Sequence, residues 1–162
     1  MIAEPAAEGL DAAWASLRRQ IDRSQQFWLG IVCCESRTAA DSLRDRAELH
    51  SHSRGHPFKR VEFVDLQDLG RILIHFEDAP GPGGCTWVST EDWGILDPRA
   101  AKACWTQALY RLNQKRDSLQ STLGGLVLAG PAWLNELAST EASDLWSVRS
   151  LVVYAKAKPS GL

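Results

Sequence analysis

The chain has 162 residues, of which 44% are hydrophobic and 23% are charged, and its formal net charge is −2. This length is typical of one domain with a core of its own, and the composition excludes disordered and fibrous classes. The near-zero net charge offers no general attraction to nucleic acid or to a membrane surface, so neither is expected as a partner.

The first part of the chain predicts two helices and two strands in alternation. Apolar residues between Leu10 and Ile21 recur on one helical face, which predicts an amphipathic helix. Phe27 to Cys34 is a continuous apolar run, typical of a strand buried on both faces of a parallel sheet. A helix capped by Ser36 or Glu35 follows, and a short strand is expected near Val61 to Val64. The expected inward residues of the second helix are Ala39, Ala40, Leu43, Ala47 and Leu49.

Residues 66–76 fit two different patterns. The pentapeptide ILIHF, taken alone, is typical of a strand. The apolar residues of the longer segment, however, repeat at helical spacing over eleven positions, so Leu66 to Phe76 is predicted as a helix. The breaker Pro80 to Gly84 follows, and Cys85 to Thr90 predicts a third strand.

The last part of the chain continues the alternation. Ala101 to Leu119 predicts one long amphipathic helix that ends before Gly124. Leu126 to Ala129 predicts a fourth strand, Pro131 is expected to open the next helix, and Leu151 to Tyr154 predicts the last strand. The expected inward residues of that last helix are Trp133, Leu134 and Leu137.

Strands that alternate with helices in this way predict βαβ units with right-handed crossovers. We therefore expect a three-layer α/β/α domain with a mainly parallel sheet of about five strands. This domain occupies residues 26–156, the helix within residues 1–25 belongs to it, and residues 157–162 form a flexible tail. Whether the buried face of the first helix packs on the sheet or on a partner is left open by the sequence.

The corner after the first long strand is where such a domain would bind phosphate. A phosphate loop needs glycines and a lysine, as in G-x-x-x-x-G-K-[ST] or G-x-G-x-x-G. The residues between Cys34 and Leu43 are E-S-R-T-A-A-D-S, with no glycine, no lysine and two carboxylates. The pattern therefore predicts a corner without nucleotide chemistry and no bound cofactor.

Three segments resemble the degenerate, P-loop-like module of bacterial STAND proteins, often called inactive STAND domains. The first is FWLGIVCCES, with its aromatic-rich strand and short polar corner. The second, ALYRLNQKRDSL, is similar to the "LN-x-x-R-x-x-L" helix of that group, and the third, LVLAGPAWLNELASTEASDLWSVRS, to its "WL" helix and "D-[LF]-W-S-x-R-S" ending. The matching residues are Leu112, Asn113, Arg116, Leu119, Asp144, Leu145, Trp146, Arg149 and Ser150.

This resemblance implies a P-loop-NTPase-like topology that has no Walker A motif and has lost its nucleotide site. It implies a non-enzymatic adaptor or regulatory module in a bacterial signalling or defence system, with an effector or a repeat-containing signalling protein as its partner. Exposed aromatic and charged residues are the natural anchors of such a contact. The interaction candidates are Trp14, Leu17, Trp133, Asp144, Trp146 and Arg149.

Two other functions are considered. One is a sensor that binds a small molecule or nucleotide at the carboxyl ends of the strands. Its candidate residues are Glu35, Arg37, Glu91 and Asp92, the last two standing where a Walker B acidic pair would end its strand. The other is a hydrolase that uses Cys85 with His56 or His75, although no known catalytic motif surrounds the cysteine.

Histidines and cysteines are the remaining residues that could bind a metal or form a disulfide. His50, His52 and His56 lie within seven residues, but no carboxylate or cysteine follows at ligand spacing, so no metal site is predicted. The four cysteines include no C-x-x-C pair, which indicates reduced thiols. The first residues do not form a signal peptide, and the longest apolar run is too short for a bilayer, so a cytoplasmic location is expected.

Overall fold

The computed structural model describes residues 8–23 and 25–156, and the predicted tail at 157–162 lies outside them. All strand pairs in it are parallel, in the order β1-β6-β2-β5-β4-β3. The strands are β1 (Glu8–Gly9), β2 (Trp28–Cys34), β3 (Phe58–Phe63), β4 (Cys85–Thr90), β5 (Gly125–Gly130) and β6 (Leu151–Lys156). The predicted sheet of five main strands is confirmed, with β1 as a two-residue addition at one edge.

Helices cover both faces of the sheet. They are α1 (Leu10–Arg23), α2 (Arg37–Ser53), a 3₁₀ helix (Leu66–Phe76), α3 (Pro98–Gln114), α4 (Arg116–Thr122), α5 (Leu134–Glu141) and α6 (Ser143–Ser147). One core cluster joins α1 and α2 to the first face, and a second joins the 3₁₀ helix and α3 to α6 to the other face. The predicted three-layer α/β/α architecture is therefore confirmed.

The first helix packs on its own chain. Ala13 and Leu17 of α1 are fully buried, and they lie in the same core cluster as Leu43 of α2 and Val153 of β6. The choice that the sequence leaves open is therefore decided in favour of packing in cis. Within the described part of the chain, no helix combines the length and apolar character that crossing a membrane would require.

Several predicted details differ from the structure. Leu49 is 74% exposed, because it lies two positions, or about 200°, from the inward residue Ala47. The strand predicted near Val61 to Val64 corresponds to β3, which runs over Phe58–Phe63. Val64 therefore lies outside the strand and is 68% exposed. Pro131 does not open α5 but precedes it in a turn, where its carbonyl accepts the Leu134 N–H.

The predicted helix from Ala101 to Leu119 is interrupted. The first part, α3, ends at Gln114, and α4 begins at Arg116. Between them the Lys115 N–H is shared between carbonyls of the preceding turn. The redirected chain places both Leu119 and Leu123 in the core before β5 begins. Periodicity alone could not detect this break, since Leu119 also fits the apolar stripe of a continuous helix.

The ambiguous segment is helical over the predicted bounds, with 3₁₀ geometry. Leu66, Leu69 and Ile72 are its buried residues, and their spacing of three matches the three residues per turn of a 3₁₀ helix. Arg71 has non-helical dihedral angles, so the segment is kinked there. The helix prediction for Leu66 to Phe76 is thus confirmed, although its pitch was not specified.

Candidate interaction surface at the carboxyl edge of the sheet

The carboxyl ends of β2, β5 and β4 lie side by side, because these three strands are parallel neighbours in the sheet. Open α/β sheets bind their ligands outside this edge. Short connections follow two of the strands, and the longer loop Glu91–Asp97 follows β4. These segments form the candidate site.

The connection after β2 is very short. Only Glu35 and Ser36 separate β2 from α2. The Ser36 side chain caps the helix by accepting the Ala39 N–H at 3.3 Å, and the Glu35 N–H donates to the Ala155 carbonyl at 3.3 Å. Two residues give less loop than the motif G-x-x-x-x-G-K-[ST] needs to surround a phosphate.

Trp93, from the loop after β4, lies against this corner. Its indole N–H donates to the Cys34 carbonyl at 3.3 Å, and the side chain is only 6% exposed. The Trp93 side chain therefore connects the loop after β4 to the end of β2, although β5 lies between these two strands in the sheet. No motif in the sequence marks Trp93, and only its place just after the acidic pair that ends β4 could have drawn attention to it.

Hydrogen bonds hold the loop around Trp93 in one shape. The Asp92 carboxylate accepts the Gly94 N–H at 2.8 Å, and the Asp92 carbonyl accepts the Thr90 hydroxyl at 2.7 Å. Gly94 has a φ of +76°, a left-handed conformation that favours glycine. At the far end, Asp97 caps α3 by accepting the Ala100 N–H at 3.1 Å.

The same loop presents two aliphatic side chains to solvent. Ile95 is 73% exposed and Leu96 is 100% exposed. Both lie between the Gly94 turn and the Asp97 cap, so their backbone positions are fixed at each end. Because hydrogen bonds restrain the backbone on both sides, less backbone entropy would be lost if another molecule buried these two side chains.

The four polar candidates of this edge are only partly brought together. Arg37 donates to the Glu91 carbonyl at 3.4 Å and lies 3.3 Å from the Asp41 carboxylate. Glu35 is exposed, as is Glu91. The Asp92 carboxylate is used by the loop itself. Arg37 and the Asp92 carboxylate are therefore engaged within the chain, whereas the Glu35 and Glu91 side chains are exposed.

Two of the motif segments bind to each other on the other side of the molecule. The Asn113 carboxamide oxygen accepts the Leu145 N–H at 2.9 Å, and the Arg116 guanidinium lies 3.6 Å from the Asp144 carboxylate. The first contact ties α3 to α6, and the second joins α4 to α6. Asp144 is thus engaged in fixing the position of a short helix.

The tryptophan of the same segment is also held in place. The Trp146 indole N–H donates to the Asn135 carboxamide oxygen at 2.9 Å, and Asn135 is buried. The Arg149 guanidinium lies 3.3 Å above the centroid of the Trp146 ring and donates to the Trp146 carbonyl. These contacts give both residues a structural role, whether or not a partner also touches them.

The remaining interaction candidates lie apart. Trp133 is half-buried beneath Lys102, whose ammonium is 5.7 Å from the ring centroid, in an open groove of about 290 Å³. Leu17 is fully buried on the opposite face of the sheet. Trp14 is partly buried there and meets His50 edge-on at 5.8 Å. The six candidates therefore do not form one surface.

The residues considered for nucleophilic and metal chemistry have other surroundings. Burial raises the pKa of the Cys85 thiol to about 12, which keeps it protonated and a poor nucleophile. His75 packs edge-on against Phe63 at 5.1 Å, and His50 forms a 2.7 Å contact with Asp22. Among residues 8–23 and 25–156, no group of three His, Cys, Asp or Glu side chains is placed to hold a metal ion.

The chain is similar in fold to two solved structures of the ORC2 protein of Aeropyrum pernix. One is an ADP form, with 10% identity and a TM-score of 0.53 over 96% of this chain. The other contains ADPNP–ADP complexes, with 13% identity and a TM-score of 0.51 over 95% of this chain. The chain spans about half the length of each, 49% and 50% respectively.

The two superpositions support a P-loop-NTPase-like α/β fold for the chain. At this level of identity the likeness concerns fold alone, and fold does not define function. No protein-family profile matches the sequence, and no curated protein matches it either.

Proposed function

We propose that this domain is a non-catalytic adaptor or regulatory module that binds a protein partner through the Glu91–Asp97 loop. One observation carries the proposal: this single loop turns Trp93 inward over the corner after β2 and turns Ile95 and Leu96 outward into solvent. The inward residue lies against the end of β2, just before the corner where a phosphate loop would be expected. The outward residues offer an apolar anchor to another molecule.

Loss of nucleotide binding is part of the proposal. A two-residue connection after β2 supports it, as do the absence of glycine and lysine from the E-S-R-T-A-A-D-S stretch and the position of Trp93. The P-loop-NTPase-like fold of the chain makes this the corner where the test should be made.

The biological setting is proposed by resemblance. The Asn113, Arg116 and Asp144 pattern is similar to that of inactive STAND domains. In this chain Asn113 accepts the Leu145 N–H, and Arg116 lies beside Asp144. On this resemblance we propose that the domain acts in a bacterial signalling or defence system, with an effector or repeat-containing signalling protein as its partner. Its location would then be cytoplasmic.

A binding experiment tests the docking loop. The purified domain, an Ile95→Ser/Leu96→Ser variant and a Leu49→Ser control serve as baits, and retained proteins are quantified by mass spectrometry. Leu49 is a suitable control because it is also an exposed aliphatic residue, on α2. We expect a protein that binds the wild type and the control, and binds the double variant at least about tenfold less, which corresponds to about 1.4 kcal/mol.

Retention of every bound protein by the double variant would contradict the docking proposal. Thermal unfolding tests the other half: millimolar Mg·ATP, Mg·GTP or NAD should leave the midpoint unchanged. Saturating ligand at a hundred times its dissociation constant would add about 2.7 kcal/mol and shift the midpoint by several degrees. Such a shift would instead favour the sensor alternative and direct mutagenesis to Glu35, Arg37, Glu91 and Asp92.

A further inference from the structure

Strand β3 forms one edge of the sheet. It pairs with β4 along its whole length, and among the described residues no strand lies on its other side. A free strand edge can pair with another chain unless its sequence or surroundings prevent it. The question is which chain this edge fits.

Hydrogen bonds to β4 identify the backbone groups that face outward. The Pro57 carbonyl accepts the Cys85 N–H, and the Phe63 carbonyl accepts the Glu91 N–H. Since backbone groups alternate in direction along a strand, the odd-numbered residues of β3 bond to β4. The outward-facing N–H and C=O groups belong to Phe58, Arg60 and Glu62.

We propose that a second copy of this chain pairs antiparallel with β3, about a twofold axis at Val61. When this twofold axis is normal to the sheet, each face of the sheet continues from one copy into the other. Residues that lie opposite each other across the new strand pair therefore have their side chains on the same face. Arg60 of each copy then lies opposite Glu62 of the other, in a pair bonded through the outward backbone groups. Phe58 of each copy lies opposite Val64 of the other.

Charge complementarity selects this register. Moving the axis by one residue places Arg60 opposite Arg60 or Glu62 opposite Glu62, and moving it to Lys59 opposes two lysines. Like charges directly opposite each other destabilise a strand pair, whereas opposite charges stabilise it. Among these registers, the one centred on Val61 avoids opposing like charges.

Ion pairs within the chain restrict the side chains of Arg60 and Glu62. Arg60 bonds to Glu48 and Asp45 of α2, and Glu62 contacts Arg44 of α2. Both side chains therefore point along the α2 face, where the pairing would oppose them. Because their rotamers are restricted before association, less entropy is lost when the second copy binds.

Space and apolar surface are present at the same edge. Val64 is exposed at the end of β3, where the second copy would bring Phe58. A groove of about 330 Å³ lies beside the end of the strand, lined by Glu62, Phe63, Val64, Asp68, Arg71 and His75. The groove leaves room for the side chains of an added strand next to the 3₁₀ helix.

Amide hydrogen exchange at single-residue resolution tests the pairing. The intact protein is measured by NMR at micromolar and at submillimolar concentration, and its mass is followed by sedimentation. We expect protection of Arg60 and Glu62 to increase with concentration. Lys59 and Val61, which already bond to β4, should not change.

A matched pair of variants completes the test. Val64→Glu should weaken self-association at least about tenfold, because it places a charge opposite Phe58. Leu49→Glu, an equally exposed site away from β3, should have no effect. A monomer at every concentration, uniform protection along β3, or a dimer that Val64→Glu leaves intact would each overturn the proposal. This outcome is independent of the docking loop, whose residues lie in another segment.

Discussion

Trp93 links three features that occupy different places in the sequence. Its indole hydrogen bond joins the loop after β4 to the end of β2. The buried side chain lies beside the corner between β2 and α2. A tryptophan offers both a large apolar surface and one donor, so it can fill a space and satisfy a carbonyl at once. Trp93 therefore fills space beside the end of β2 and also supplies a donor to the Cys34 carbonyl.

We expect Trp93→Phe to destabilise the protein by about 1–3 kcal/mol, because it leaves the Cys34 carbonyl without its donor and leaves a small cavity. Urea unfolding at neutral pH measures the change. Trp133→Phe is the control, since Trp133 is only half-buried, and its loss should be smaller. Equal losses would mean that Trp93 does not have the role assigned to it.

The carboxamides of Asn113 and Asn135 show how single polar residues order the second face. Each accepts one hydrogen bond from α6, from the Leu145 backbone and from the Trp146 indole. A buried acceptor is costly when unpaired, which makes such contacts specific. Asn113 and Trp146, two of the residues that carry the resemblance, therefore help to fix the position of α6.

At the scale of elements, two turns meet closely at the amino end of the sheet. The Pro80–Gly84 turn lies against Gly124, whose N–H donates to the Pro80 carbonyl at 3.2 Å. A Cβ at Gly124 would lie 2.4 Å from the Gly81 carbonyl oxygen and 2.5 Å from that of Gly84. These turns set where β4 and β5 begin.

Gly124→Ala should therefore destabilise the protein by about 2 kcal/mol or more, because backbone atoms must move to accept the methyl group. Gly81→Ala, in the facing turn, should be tolerated within about 1 kcal/mol, since its Cβ would meet no atom closer than 3.6 Å. Thermal unfolding of both variants measures the contrast. Similar midpoints for the two would show that the turns are not closely packed.

At the scale of the whole molecule, α1 is fastened to the domain by charge as well as by apolar contact. Asp22 of α1 contacts His50 of α2 at 2.7 Å. The hydrogen bond with His50 lowers the pKa of Asp22, and the charges of His50, Arg54 and Arg18 lower it further. Because α1 shares a core with α2, this pair contributes to global stability.

A carboxylate with a lowered pKa in the folded state stabilises the protein above its unfolded pKa, and this stability is lost as the pH falls through the folded value. Asp22→Asn should therefore lower the unfolding midpoint at pH 6, and the difference should shrink below about pH 4. Thermal unfolding from pH 6 to pH 3 follows it. A difference that persists unchanged in acid would contradict this account.

Much of this fold follows from local pattern. The apolar run Phe27–Cys34, the helical stripe of α1 and the breaker before β4 each predicted an element that the structure contains. Their alternation determined a parallel, three-layer architecture, because buried strands and amphipathic helices can be combined in few ways. The sequence alone also shows that no glycine-rich loop follows the first long strand.

Tertiary structure decided the rest. The sequence could not reveal that Trp93 reaches the end of β2, that β3 forms an edge, or that the chain turns at Lys115. It also left open where α1 packs. Local patterns record which residues avoid water, whereas strand order and contacts between distant residues depend on how the whole chain fills one core. The candidate surface depends on such a contact between distant residues, because the loop after β4 lies against the corner after β2.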